Sequence, residues 1–287
     1  MKIASLFLLI LFAQVSAQTL PKESVLPSKC VDKLKSYEDW GRVKKTEFSL
    51  ELAAKSGGKI VYYGAEHSTD LNHKQFREVE EAWTKLKPEI AFYEGPNRPI
   101  FDSREETIQK TGESGFVRFL AKRDGIPFVT LEPAPTDEFK FILEKFTFEQ
   151  AILFFVLRET VRLRERQNLP EDKLKQAILQ LLRRAQKIAG FEKMPTALSE
   201  IEDAYKRFWA TPVNWWEAPQ AWFDPLKKSQ ATGGIFTNEI NRRSSEFRNR
   251  NMYEMLAKKV LEGRRVFAVV GRNHVPMQAK ALRCAFK

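Results

Sequence analysis

The sequence predicts an α/β fold: two strand-helix halves forming one mostly parallel sheet, with a large helical insertion between them. Three observations carry this. Short β-branched or aromatic runs alternate with helical-period stretches up to about residue 131, the pattern of strand-helix-strand units with parallel strands. From about 137 to 210 the strand signal disappears and helical periodicity alone remains. A short pattern then recurs after the last apolar run as it stood after the first: Gly64-Ala65-Glu66-His67 and Gly271-Arg272-Asn273-His274.

In chain order, residues 1–17 read as a secretory signal peptide. Lys2 supplies the positive start, Ile3 to Phe12 the apolar core, and Val15-Ser16-Ala17 a small-residue cleavage site, with the cut after Ala17. The apolar run is too short for an ordinary membrane span, and no cysteine lies near the cut to carry a lipid. The expected mature protein is secreted or periplasmic, with no membrane anchor after cleavage. Residues 18 to about 35 are rich in proline and polar side chains and lead onto the fold. Residues 18–287 are expected to form one domain, with the helical insertion at about 137–232.

Ile60-Val61-Tyr62-Tyr63 reads as the first strand. Residues 73–86 carry Phe76, Val79, Ala82, Trp83 and Leu86 at helical spacing. Ile90-Ala91-Phe92-Tyr93 is the second strand, about 104–122 a helix, and Phe128 to Leu131 the third strand. Long helical stretches follow through Phe139–Arg166 and Glu171–Ala189, with a shorter one through Leu198–Trp209. An aromatic, proline-rich loop from Trp215 to Phe223 packs as core or loop, or lines a groove. A helix from about 236 to 262 stops at Gly263, as glycine commonly stops helices. Val266 to Val270 is the fourth strand, and Met277 to Cys284 a terminal helix.

The formal charge is +11, and removal of the leader takes only Lys2, leaving +10. Basic residues are interleaved with acidic ones along the helices, as in Arg164-Glu165-Arg166, and no nucleic-acid motif accompanies them. Nucleic acid is therefore not expected as a partner. The two cysteines, Cys30 and Cys284, lie near opposite ends. They read either as a disulfide formed in an oxidising compartment or as two buried thiols.

Chemistry is expected where strands end, because loops at the carboxyl edge of an open parallel sheet converge on one crevice. The first strand delivers Glu66 and His67 there, the second Glu94, the third Glu132 and the fourth His274. Two histidines and up to three carboxylates would meet. Such a set can hold a divalent transition metal with a position left for water. It can equally activate water without metal, with a histidine as general base and a glutamate orienting it. Glu132 pairs alternatively with a basic residue of the insertion. The third histidine, His73, reads as a surface or capping residue at a helix start. No Walker-type loop, nucleophile elbow, His-Glu-x-x-His or dinucleotide fingerprint is present.

Gly64-x-x-His67, Tyr93-Glu94, Leu131-Glu132, Arg248-Asn249-x-x-Met252 and Val269-Val270-Gly271-x-x-His274 occur in this order between about 59 and 275. Together they resemble the TraB/GumN/TIKI families, within the wider group that includes erythromycin esterases and ChaN-like haem-binding proteins. The chain departs from that pattern at Val275-Pro276 and at Glu66-His67-Ser68. The resemblance implies a hydrolase of amide (peptide) or ester bonds, with His67, Glu94 and His274 as metal ligands or catalytic groups. It also gives Arg248 the role of stabilising negative charge; Glu66, placed beside His67 by the sequence itself, is read as joining Glu94 to bind metal or orient water. It implies a divalent metal (manganese, cobalt or zinc) as cofactor and a small-molecule or peptide substrate. The alternative implied by the ChaN-like members is a non-catalytic haem- or metal-binding protein.

Overall fold

The computed structural model describes residues 28–45, 47–188 and 190–287. The expected signal peptide and its cleavage site lie outside the described residues. Among the described residues no helix is long and apolar enough to cross a membrane.

The architecture is α/β, built on a mixed and mostly parallel five-stranded sheet. In chain order the elements are α1 (Ser28–Val31), β1 (Ser49–Ala53), β2 (Lys59–Ala65), α2 (Gln75–Leu86), β3 (Ile90–Tyr93), α3 (Arg104–Arg123) and β4 (Phe128–Thr130). Then come α4 (Pro135–Leu143), α5 (Phe148–Gln167), α6 (Glu171–Ala185), α7 (Leu198–Lys206), α8 (Ser229–Thr232), α9 (Thr237–Leu261), β5 (Arg265–Gly271) and α10 (His274–Ala285). The strand order is β1-β2-β5-β3-β4, so the last strand in sequence lies in the middle of the sheet. β5 pairs in parallel with β2 on one side and β3 on the other, and β3 pairs in parallel with β4.

β1 is antiparallel to β2 and was not among the expected strands. Its Ser-Leu-Glu-Leu-Ala sequence has the two-residue alternation of a half-buried strand, with Leu50 buried and Glu51 exposed. It lacks the β-branched and aromatic residues that mark the other strands. The Gly57-Gly58 pair in the turn that follows is the remaining hairpin signal.

Side chains of the central strands alternate between two apolar layers, as the pleat requires. Ile60, Tyr62, Phe92, Val266, Ala268 and Val270 face α9 and α10. Val61, Ala91, Tyr93, Phe267 and Val269 face α2 and α3, where Trp83 packs on the Phe267 ring with centroids 5.3 Å apart. Each of the valine, isoleucine and phenylalanine side chains among these stabilises the fold by about 1.5–3 kcal/mol through area removed from water. A third apolar cluster belongs to the helices between β4 and α9 and includes Phe154, Leu157, Ile178, Trp215 and Trp222. Within the Trp215 to Phe223 loop, Trp215, Ala218 and Trp222 are thus core, while Gln220, Ala221 and Phe223 line a cavity, so the segment serves both expected roles.

Local chemistry sets the boundaries. The expected Phe139–Arg166 helix is two helices, because Thr147 and Gln150 form a reciprocal capping box that starts α5 afresh. α10 begins at His274, three residues earlier than expected. Pro276 is tolerated in that first turn, where its missing N–H has no helical partner to lose. Cys30 and Cys284 form a disulfide that ties α1 to α10.

Candidate active site at the carboxyl edge of the sheet

Because β5 lies between β2 and β3, the residues that follow these three strands are neighbours in space. The two glycine-histidine loops touch directly. Arg272 N–H donates to the Ala65 carbonyl at 2.9 Å. A Cβ on Gly64 would lie 2.5 Å from the Phe48 carbonyl oxygen and 2.7 Å from Arg272 Cα, so only glycine fits there. At the second glycine the space is used differently. A Cβ on Gly271 would lie 3.2 Å from His67 Nε2 and 3.3 Å from Glu94 Oε2. The imidazole of one loop and the carboxylate of the next strand therefore meet over the bare backbone of the third.

His67 is oriented from α3. Its Nδ1 lies 2.7 Å from Glu113 Oε1, and the Glu113 side chain is only 7% exposed while that of His67 is 57% exposed. A carboxylate that accepts the Nδ1 proton leaves Nε2 as the basic nitrogen of the neutral ring. The placement of Glu113 depends on a break in the helix. Gly112 has φ 62° and ψ −149°, a conformation few other residues adopt, and a Cβ there would press within 3.0 Å of the Ser68 carbonyl. The break lets α3 approach the His67 loop. It also puts the Ser114 hydroxyl 2.7 Å from the Glu94 carbonyl, to which it donates. Sequence reasoning missed Glu113. The available signal was a glycine inside an otherwise helical pattern, which has a packing or functional reason when it persists.

Glu94 sits at the centre of the group. Gly271 N–H donates to its Oε2 at 2.6 Å, and Arg248 NH2 donates to its Oε1 at 2.7 Å. His274 Nε2 lies 3.4 Å from the same Oε1. Burial alone would push the Glu94 carboxyl up, but His274, Arg248 and the Gly271 N–H together outweigh it and hold the group well below the usual carboxylate range. Glu94 is an anion at neutral pH. Arg248, from α9, is in turn gripped by Glu132, which accepts from Nε at 2.8 Å and NH2 at 2.7 Å. Burial disfavours the guanidinium, yet the two carboxylates more than compensate and raise its pKa. Glu132 therefore belongs to the site as the clamp on Arg248, and its expected alternative partner in the insertion is not used.

His274 is buried, on the first turn of α10. Its Nδ1 lies 2.8 Å from Asn249 Oδ1, which also accepts from Gln278 Nε2 at 2.9 Å. That pair fixes the ring and turns Nε2 toward Glu94. Asn249 occupies the position after Arg248, so one turn of α9 supplies both the guanidinium and the ring-holding amide.

The structure thus brings together His67, Glu94, Glu132, Arg248 and His274. It does not bring in Glu66. The amide of Gln75 pins the Glu66 backbone on both sides, accepting from its N–H at 2.9 Å and donating to its carbonyl at 2.8 Å. The side chain turns outward to Arg272 NH1 at 2.6 Å, with His73 Nε2 at 3.9 Å. His73 Nδ1 accepts from Gln75 N–H at 3.4 Å at the start of α2, a capping role.

Among the described residues no group of three or more His, Cys, Asp or Glu side chains is arranged to hold a metal ion. The reason is visible at Glu94. Both of its oxygens accept hydrogen bonds, and one donor is a guanidinium whose positive charge opposes a cation at the same place. As arranged, the trio of His67, Glu94 and His274 does not fit a metal.

No protein-family model matches the sequence, and no curated protein or solved structure matches it either.

Proposed function

We propose that the protein is an exported hydrolase that cleaves an amide or ester bond by histidine-activated water. The observation that carries the reading is the convergence over Gly271 of Glu94 and of a His67 ring held by buried Glu113. His67 Nε2 takes a proton from water as the water oxygen bonds to the substrate carbonyl carbon. Anionic Glu94 orients that water. Arg248 faces the negative charge that develops on the carbonyl oxygen, which in a water-poor site is worth several kcal/mol, on the order of 3 kcal/mol. The carbon–nitrogen or carbon–oxygen bond then breaks, and the imidazolium returns its proton to the leaving group. His274 approaches the same oxygen of Glu94 as Arg248 does and helps to hold the carboxylate in place.

The reading extends to the organisation of the chain. Two strand-helix halves share the sheet, and the helices at about 137–232 are an insertion that covers the site. It also takes residues 1–17 as a signal peptide and the mature protein as secreted or periplasmic, which the disulfide supports because such bonds persist in oxidising compartments. A TraB/GumN/TIKI-like ancestry is part of the same proposal, supported by the ordered motifs from Gly64 to His274.

The test is a screen of ester and peptide substrates with the wild-type chain, His67→Ala and Glu113→Gln. His67→Ala should abolish turnover while the protein stays folded. Glu113→Gln should lower kcat about a hundredfold, the lower end of what a positioned base contributes. Full activity in His67→Ala would sink the assignment.

A second reading keeps His67, Glu94 and His274 as ligands of zinc, manganese or cobalt. It is favoured by the backing of both imidazoles at Nδ1, the arrangement that orients metal-bound histidines. It requires Arg248 to release Glu94. Elemental analysis beside a His67→Ala/His274→Ala double variant decides it. Stoichiometric metal lost in the variant would replace the first reading. The haem-binding alternative has weaker support, because His274 Nε2 is directed at a carboxylate rather than at an open apolar face.

A further inference from the structure

A cavity of about 1150 Å³ lies among the helices between β4 and α9. It exceeds the roughly 300–1,000 Å³ of ordinary small-molecule sites. Much of its wall is apolar, from Phe139, Phe155, Leu181, Ile188, Phe191 and Met194. Ile188 is one of the few large apolar side chains left exposed, at 39%. Its polar lining includes Arg158 of α5 and Asn273, the residue before His274. The cavity therefore opens beside the carboxyl-edge site.

Arg158 is the anomaly in this wall. Its guanidinium makes no hydrogen bond or ion pair among the described residues, and lies 5.7 Å from the Phe154 ring centroid. The neighbouring carboxylates are engaged elsewhere. Glu159 is held by Arg162 at 2.6 Å, Glu165 by Arg164 at 3.0 Å, and Glu132 by Arg248. Glu138 accepts from the Ser244 hydroxyl. Burial, and then the charge of Arg248, push the Arg158 guanidinium down, against the pull of Glu138, Glu132 and Glu94. Arg158 is half-buried, and a guanidinium that no carboxylate contacts, set in a partly apolar wall, offers an anionic ligand a charge-assisted hydrogen bond.

We infer that the cavity binds a long-chain anionic amphiphile of the fatty-acyl class, its hydrocarbon tail among the apolar wall residues and its anion on Arg158. For the neighbouring site this makes the substrate an acyl amide or ester that carries an anionic head group. That last step rests on the hydrolase reading; binding itself does not.

The experiment is calorimetric titration of the full chain with hexadecanoate and with hexadecanol. The variants are Arg158→Gln, Arg158→Lys, Leu181→Trp and His67→Ala, with unfolding midpoints recorded for each. Hexadecanoate should bind one-to-one. Arg158→Gln should weaken it about tenfold or more while leaving hexadecanol within about threefold, because one charge-assisted contact is lost. Arg158→Lys, which keeps the charge, should retain most of the preference, and Leu181→Trp, which fills the cavity, should remove both ligands. His67→Ala should bind normally and fail to cleave N-hexadecanoylglycine. Absent binding by wild type, or equal loss of acid and alcohol in Arg158→Gln, overturns the inference. The expected binding pattern across these variants with no cleavage of N-hexadecanoylglycine by wild type overturns the hydrolase reading alone.

Discussion

At Gly271 the absence of a side chain is what lets His67 and Glu94 share one space. Gly271→Ala adds a methyl 3.2 Å from His67 Nε2, closer than the ring tolerates without shifting by a few tenths of an ångström. The variant should fold with an unfolding midpoint near that of the wild type and lose most of its turnover, since small misplacements of a catalytic group are expensive. Arg248 is different, because it is structural as well as chemical. Arg248→Ala leaves Glu94 and Glu132 as adjacent, poorly exposed anions, and removing one partner of a buried pair costs roughly 3–5 kcal/mol. Urea unfolding should read that loss directly. Glu94 also predicts a pH dependence. Its folded pKa lies well below the ordinary 4.5, so its stabilisation is complete above that value and is lost as pH falls through the folded pKa. Stability should therefore decline as pH drops below about 4.5, and the decline should be shallower in Glu94→Gln. An equal slope in both would refute the assignment. His67, Glu94 and His274 are legible in sequence because each follows an apolar run, and parallel topology alone carries them to one edge. Glu113 is not legible, because it looks like any acidic residue on a helix until the partner it faces is known. Glu66 misleads for the converse reason: adjacency to His67 in sequence says nothing of where a side chain turns once Gln75 pins its backbone.

Among the elements, α3 decides the geometry of the site. Its break at Gly112 holds both Glu113 beneath His67 and Ser114 against the Glu94 carbonyl. Gly112→Ala combines a φ of 62° with a clash against the His67 loop. It should cost about 1 kcal/mol or more in stability and displace His67, so that kcat falls further than in a surface variant of equal stability. Unchanged kcat would mean that the break plays no part in positioning. The four parallel strands are legible from β-branched and aromatic runs, and the helices from their apolar period. β1 escapes because leucine, glutamate and alanine are as much at home in helices. The split between α4 and α5 escapes because a capping box of threonine and glutamine is invisible to a periodicity reading.

For the whole molecule, the disulfide closes nearly the entire described chain into a loop, its cysteines standing 254 positions apart in sequence. A Cys30→Ser/Cys284→Ser variant should lose about 2–4 kcal/mol, chiefly because its unfolded chain is freer. Reduction of the wild type should lower stability by a similar amount, and a negligible change would show that α1 adds nothing by being tethered. Two cysteines at the chain ends made the bridge legible, because termini often lie close together in folded domains. Which strand would be central was not legible, since order along the chain does not give order across a sheet.

β5 is the last strand in the sequence and the middle strand of the sheet. Residues up to 271 must therefore be made before the five strands can join into one sheet. Until residues 265–271 emerge, β2 and β3 have no strand between them. The Gly271 platform, His274 and the Cys284 thiol are then all still unmade or just arriving. Assembly of the candidate site, sheet closure and covalent locking thus all wait for residues 265–284, and a chain truncated before Arg265 has none of the three.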